Sequence, residues 1–252
     1  MLYRIKSFLL IGILCLTLIT LAFSCVVLLS EEFFAWDNAP SLEYDYEDLQ
    51  MQISIAPFDT LQPPEYDAEA LMQENPDFRG WLHIPDTSIS FPIVQGTDNA
   101  YYLKHSFQRR QSAYGCPFLE YTTTPSDRNL VIHGHNMGMN REEMFSPLVQ
   151  FQDETYATAH STVFFSDPAR PGEERYKLFA VLNLSVKNED AFQYRQQQFL
   201  NEDAFQQYVS YLKEHSIFES NYTPTGELLI LSTCNRAYGN DNRLLICAGR
   251  EG

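Results

Sequence analysis

Three residue types that could cooperate in nucleophilic chemistry stand at strand-like boundaries of this chain. In LLILSTCNRAYGNDNRLLICAGR (228–250) an apolar run ends on Cys234, a polar loop follows, and a second apolar run opens with Arg243. A thiol at a strand terminus is held rigidly yet can reach a cleft. A guanidinium across the same loop can hydrogen-bond an oxyanion or a substrate carbonyl. For an isolated cysteine the ordinary reading would be a buried one, since free Cys is among the most buried residue types. In NLVIHGHNM (129–137) another apolar run ends in His133-Gly134-His135. A histidine just past a strand end can act as general acid and base near neutral pH.

Other chemistries fit less well. His-x-His hints at a metal, but Gly134 interrupts the strand and no third and fourth ligand pattern follows, so neither a metal nor a cofactor is expected. His83, His105, His160 and His215 occur singly and read as structural or solvated. A phosphatase loop needs its cysteine and arginine on one short phosphate cradle, whereas eight residues separate Cys234 from Arg243. Papain-like proteases place the nucleophile early, at a helix start, with the histidine much later; here the histidine comes first. A non-catalytic surface adaptor would need none of the three residues.

The elements that must position them are short. Runs rich in β-branched and aromatic residues, separated by Pro, Gly, Asp and Asn, predict eight strands. They are GWLHI (80–84), SISFPIV (88–94), CPFLEY (116–121), NLVIHG (129–134), TVFFS (162–166), ERYKLFAVLN (174–183), ELLILSTC (227–234) and RLLICAG (243–249). Such a series implies a mainly β domain, a closed barrel or a sandwich. Two segments read as helices: EEMFSPLVQF (142–151), and NEDAFQQYVSYLKEH (201–215) with Phe205, Val209 and Leu212 on one face and Asn201 as its cap.

Ahead of this domain, residues 8–30 carry no charge over 23 positions, enough to span a bilayer's roughly 30 Å hydrocarbon core as a helix. Arg4 and Lys6 precede the run and Glu31 and Glu32 follow it, so the positive-inside rule places residues 1–7 in the cytoplasm and the rest outside. The run is long for a cleaved signal peptide and continues past Cys25, so an uncleaved transmembrane anchor is expected in preference to cleavage or lipidation. Residues 31–70 are acidic and turn-rich, with Pro63-Pro64, and read as a stalk; residues 71–252 form the catalytic domain. Taking Arg4 and Lys6 out of the formal charge of −16 leaves −18 after the anchor. That balance speaks against a nucleic-acid partner and is compatible with solubility or a basic, lysine-bearing one. Only Cys116, Cys234 and Cys247 lie beyond the anchor, too few for a disulfide-stapled scaffold.

These residues, in this order, resemble the sortases of Gram-positive cell surfaces. LSTC, with an arginine opening the next strand, resembles that family's cysteine signature, although Ile230 stands where the family has Thr. VIHGHNM resembles its histidine segment and singles out His135 over His133. NPDFRGWLHIPDTSISFPIVQGTDNAYYLKHSF (75–107) is similar to the opening of the class B branch, and the match runs over roughly residues 70–250. The resemblance implies a closed eight-stranded β-barrel with a few peripheral helices, behind the transmembrane helix. It implies a cysteine transpeptidase that cleaves a sorting signal after Thr, with Cys234 as nucleophile, His135 as acid/base and Arg243 on the oxyanion or peptide. Implied partners are a sorting-signal-bearing surface protein or pilin, and an acceptor amine from a cell-wall precursor or a pilin lysine. By motif position Asn99, Leu103 and Ser232 are candidate peptide contacts. His133 and Asn235 belong to the same set, but stand where the family often has Tyr and an acidic residue. Cys116 and Cys247 carry no family role and are expected in the core.

Overall fold

The computed structural model describes residue 62 and residues 64–138, 141–169, 175–187, 192–234 and 241–251. The expected anchor at 8–30, most of the acidic segment 31–70, and Asn235 lie outside the described residues. Among the described residues no helix is long and apolar enough to cross a membrane.

Eight strands appear where the residue pattern places them: β1 (Phe78–His83), β2 (Ser90–Val94), β3 (Phe118–Leu119), β4 (Asn129–His133), β5 (Thr162–Ser166), β6 (Arg175–Ser185), β7 (Leu228–Cys234) and β8 (Asn242–Arg250). They close into a barrel in the order β1-β2-β3-β4-β7-β8-β6-β5, with β1 pairing both β2 and β5. The alternative of a two-sheet sandwich is thereby set aside. Two pairings are parallel, β2 with β3 and β4 with β7. β3 is shorter than expected. Its predecessor Pro117 has no N–H to give a ladder, although its carbonyl accepts from Val94 N at 3.3 Å.

Short helices surround the barrel: α1 (Ala68–Glu74), α2 (Glu154–Ala159) and α3 (Glu202–Glu214). α3 answers the pattern read for 201–215. Asn201 Oδ1 caps it by accepting from Ala204 N, and Phe205, Tyr208, Val209 and Leu212 are buried. The helix expected over 142–151 is instead a 3₁₀ segment, Ser146–Gln152, with Pro147 in its first turn; Asp153 then opens the separate α2 by accepting from Tyr156 N. Three of the single histidines have one role in common. His105, His160 and His215 each bond through Nδ1 to the carbonyl four residues back (2.8, 2.8 and 2.9 Å) and stack on that tyrosine's ring.

The strands that carry the chemistry-bearing residues are buried on both faces. Leu229, Leu231, Leu244 and Ile246 point into the barrel with Leu130 and Ile132. Val131, Leu228, Ile230, Leu245 and Cys247 turn outward and are covered by Phe205, Val209 and Leu212 of α3. Double coverage is why these segments read as continuous apolar runs and not as alternating ones. It also makes Cys247 a structural cysteine, fully buried, with burial pushing its thiol pKa well up.

Candidate active site

Cys234 is the last residue of β7 and pairs directly with Arg243 of β8. Directly opposed residues of an antiparallel pair project from the same face with Cβ atoms about 5 Å apart. Thiol and guanidinium are therefore brought together by strand register, across a loop that separates them in sequence. Of the three described cysteines, Cys116 and Cys247 are buried and Cys234 alone is partly open. Arg243 is half-buried, and its Nη1 donates to Asn242 O at 3.2 Å.

The histidine segment is joined to the cysteine strand residue by residue. Parallel pairing sets His133 beside Ser232. Gly134 N donates to Ser232 O (3.1 Å), Thr233 Oγ1 donates to Gly134 O (2.8 Å), and Asn136 Nδ2 donates to Cys234 O (2.9 Å). Gly134 is required by close approach, since a Cβ there would sit 2.6 Å from the Phe145 ring. Phe145 N in turn donates to His135 O at 2.8 Å.

The His135 ring is held by a different part of the chain. Its Nε2 lies 2.8 Å from Leu103 O. A carbonyl can only accept, so Nε2 carries a proton and Nδ1 is the nitrogen left to exchange one. Leu103 closes a 3₁₀ turn, Tyr101–Leu103, that is itself fixed. Asp98 Oδ1 accepts from the Ala100 and Tyr101 amides (2.7 and 2.8 Å), which lowers its pKa. Tyr102 is buried and donates to Asp77 Oδ2 at 2.7 Å. Gly115, at φ +67°, passes so close that a Cβ would lie 2.3 Å from Tyr102 O.

His133 turns elsewhere, which is why the His-x-His spacing does not act as one chelate. Its Nε2 bonds Glu120 Oε2 at 3.1 Å, and its ring packs against Phe118 with centroids 5.2 Å apart. Glu120 also accepts from Asn99 Nδ2 and lies 3.7 Å from Arg195 Nη1. Burial works against the Glu120 carboxylate. Hydrogen bonds from His133 and Asn99, with the attraction of His133 and Arg195, outweigh it and hold its pKa below the usual carboxylate range.

Three of the five candidate peptide contacts thus fall into two groups. Leu103 lends its carbonyl to His135, while Asn99 and His133 meet at Glu120. Ser232 is buried, with Oγ 3.4 Å from the Tyr194 hydroxyl. Glu120, Asn136 and Thr233 were not singled out from sequence. For Asn136 and Thr233 the only signal was adjacency to His135 and Cys234, and Glu120 had none beyond an acidic residue closing an apolar run.

A Sortase domain model matches residues 82–251. Over 184 residues the chain is 31% identical to sortase B of Listeria monocytogenes, covering 71% of this chain and 72% of that one. The chain belongs to the sortase family. This sortase is class B-like and, as a member of that family, a cysteine transpeptidase. Its fold superposes on sortase B of Clostridium perfringens with a TM-score of 0.65 at 25% identity, covering 74% of this chain and all of that one. It also superposes on a Staphylococcus aureus sortase B–substrate complex with a TM-score of 0.64 at 22% identity, over 87% and 97% of the two chains, a likeness of fold alone.

Proposed function

We propose that this sortase cuts a C-terminal sorting signal after Thr and transfers the new carboxyl end to an amine, with Cys234, His135 and Arg243 as its working groups. The observation that carries this is the direct pairing of Cys234 with Arg243, beside a histidine whose Nε2 is already committed to Leu103 O. The Cys234 thiol gives its proton to His135 as its sulfur attacks the Thr carbonyl carbon, and Arg243 is the donor for the oxyanion that forms. His135 hands a proton to the departing amine as the peptide C–N bond breaks, leaving a thioester. An incoming amine attacks that thioester, gives its proton to His135 and displaces Cys234 as the thiolate, so the thiolate and protonated histidine are regenerated together. Asn99, Leu103, His133, Ser232 and Asn235 border the path of the sorting signal in this reading.

Residues 8–30 anchor the enzyme in the cell membrane with residues 1–7 inside, and residues 31–70 hold the catalytic domain, 71–252, outside. The acceptor is a cell-wall precursor amine, so the product is an anchored surface protein. The −18 charge beyond the anchor favours a second reading, a pilin polymerase whose acceptor is a lysine side chain.

The test is intact mass of the chain from residue 31 onward after incubation with a panel of sorting-signal peptides. The expected product is an adduct equal to the peptide through Thr, absent in Cys234→Ala. Oligoglycine and lysine-bearing acceptors then separate anchoring from polymerisation. A folded protein whose Cys234 does not react even with a thiol reagent would remove the nucleophile from the scheme.

A further inference from the structure

We infer that Glu120 is a positioning residue for His135, which rests on His135 being the acid/base partner of Cys234 as proposed above. Glu120 follows β3 directly, and its side chain is only 5% exposed. One carboxylate oxygen, Oε1, accepts from Asn99 Nδ2; the other, Oε2, takes His133 Nε2 at 3.1 Å and has Arg195 Nη1 at 3.7 Å. The segments joined here are the two that support the catalytic ring. Asn99 stands at the foot of the turn whose Leu103 carbonyl bonds His135 Nε2, and His133 closes β4 two residues before His135.

The chemistry of the corner calls for a carboxylate. Asn99 cannot reverse its amide, because its Oδ1 accepts from Tyr121 N at 3.0 Å, so its Nδ2 must face Glu120 as a donor. Arg195 brings only donors, and His133 brings an N–H. An ionised carboxylate accepts from Asn99 and His133, attracts the Arg195 guanidinium at 3.7 Å and has no hydrogen of its own to clash. A glutamine offers one acceptor oxygen and turns an NH₂ towards another donor. Among the described residues, the Phe118 and Tyr194 rings also face His133, at 5.2 and 6.5 Å between centroids. Glu120 therefore acts on His135 through its two supports, and its loss lets the imidazole drift from Cys234 while the barrel stays closed.

Iodoacetamide alkylation of Cys234, read by peptide mass, tests this in the full-length chain in detergent micelles. Rates are taken from about pH 5 to about pH 10, spanning the ordinary imidazole and thiol ranges. The parent is compared with His135→Ala, Glu120→Gln and Glu120→Ala, with a thermal melt of each. His135→Ala is expected to give the profile of a lone thiol. Both Glu120 variants are expected to move most of the way towards it, with peptide acylation falling by up to about 10²-fold, the scale of an ångström of misplacement. A Glu120 that only stabilised the fold would lower the melting temperature and leave the pH profile in place, and profiles overlaying the parent's would overturn the inference. If parent and His135→Ala coincide, the His135 assignment falls and the Glu120 role with it. If they differ while the Glu120 variants follow the parent, the Glu120 role alone is lost. Glu120→Gln keeps the size of the side chain and decides the outcome should Glu120→Ala not melt cooperatively.

Discussion

The wall that carries Cys234 and the corner that supports His135 are built from opposite materials. Along the middle of β4, β7 and β8, at residues 130–132, 228–231 and 244–248, every side chain is apolar and buried, with α3 closing the outer face. Side-chain hydrogen bonds gather at the strand ends, at Asn129, Ser232 and Thr233. The nucleophile is placed by the antiparallel register of two dry strands, which sets Cys234 opposite Arg243. The Glu120 corner holds a carboxylate, a histidine and an asparagine joined by hydrogen bonds, with Arg195 in an ion pair at 3.7 Å. Burial supplies stiffness for the sulfur, and polar contacts supply aim for the ring. Gly134 stands where the two meet, bonded to the cysteine strand and packed on Phe145.

The two materials should fail differently. The largest loss of stability is expected from Leu229→Ala, at a fully buried position of the wall. Denaturant unfolding should show about 2–5 kcal/mol less stability, the range for such cavities. The pH profile of Cys234 alkylation in the folded fraction should stay where it was, and a shifted profile would mean that the wall also aims the chemistry.

Glu120→Gln should cost less, about 1.5–3 kcal/mol for a buried hydrogen-bonded charge, while shifting that profile. The loss should depend on pH with a definite sign. The carboxylate's pKa is lowered in the folded state, so its stabilisation is present above the usual carboxylate range and is lost as pH falls through the lower folded value. Melting curves of parent and variant should therefore separate at neutral pH and converge in acid; a gap that persists in acid would argue that shape and not charge matters. The smallest effect is expected from Asn201→Ala, which removes the cap of α3. A drop of about 1 kcal/mol with normal peptide acylation would confirm that α3 serves only as a roof.

Much of the architecture could be read from residue types. Apolar runs bounded by Gly, Pro, Asn and Asp marked all eight strands, because a strand is decided by its own few residues and the turns beside them. The periodicity of Phe205, Val209 and Leu212 marked α3 for the same local reason. Local signals misled at residues 142–151, where Pro147 opens a 3₁₀ segment in place of the expected helix, and they missed α2, which Asp153 caps just beyond that run. They also overstated β3, which ends at Leu119 with one further backbone bond, Glu120 N to Val131 O at 2.8 Å.

Alone, the sequence determined that a cysteine, a histidine and an arginine would stand at strand ends, since strand ends are set by local composition. It left undecided which atoms of those residues would be free to work. His133 and His135 differ by two positions, yet one ring faces Glu120 and the other Leu103 O, residues that lie 13 and 32 positions away in the chain. Asn99, read only as a peptide contact, and Glu120, not singled out at all, form one device together, 21 positions apart. Contacts of that separation depend on how the barrel closes, and no local propensity encodes them. Tertiary structure alone decided the proton on His135 Nε2 and the carboxylate that steadies it.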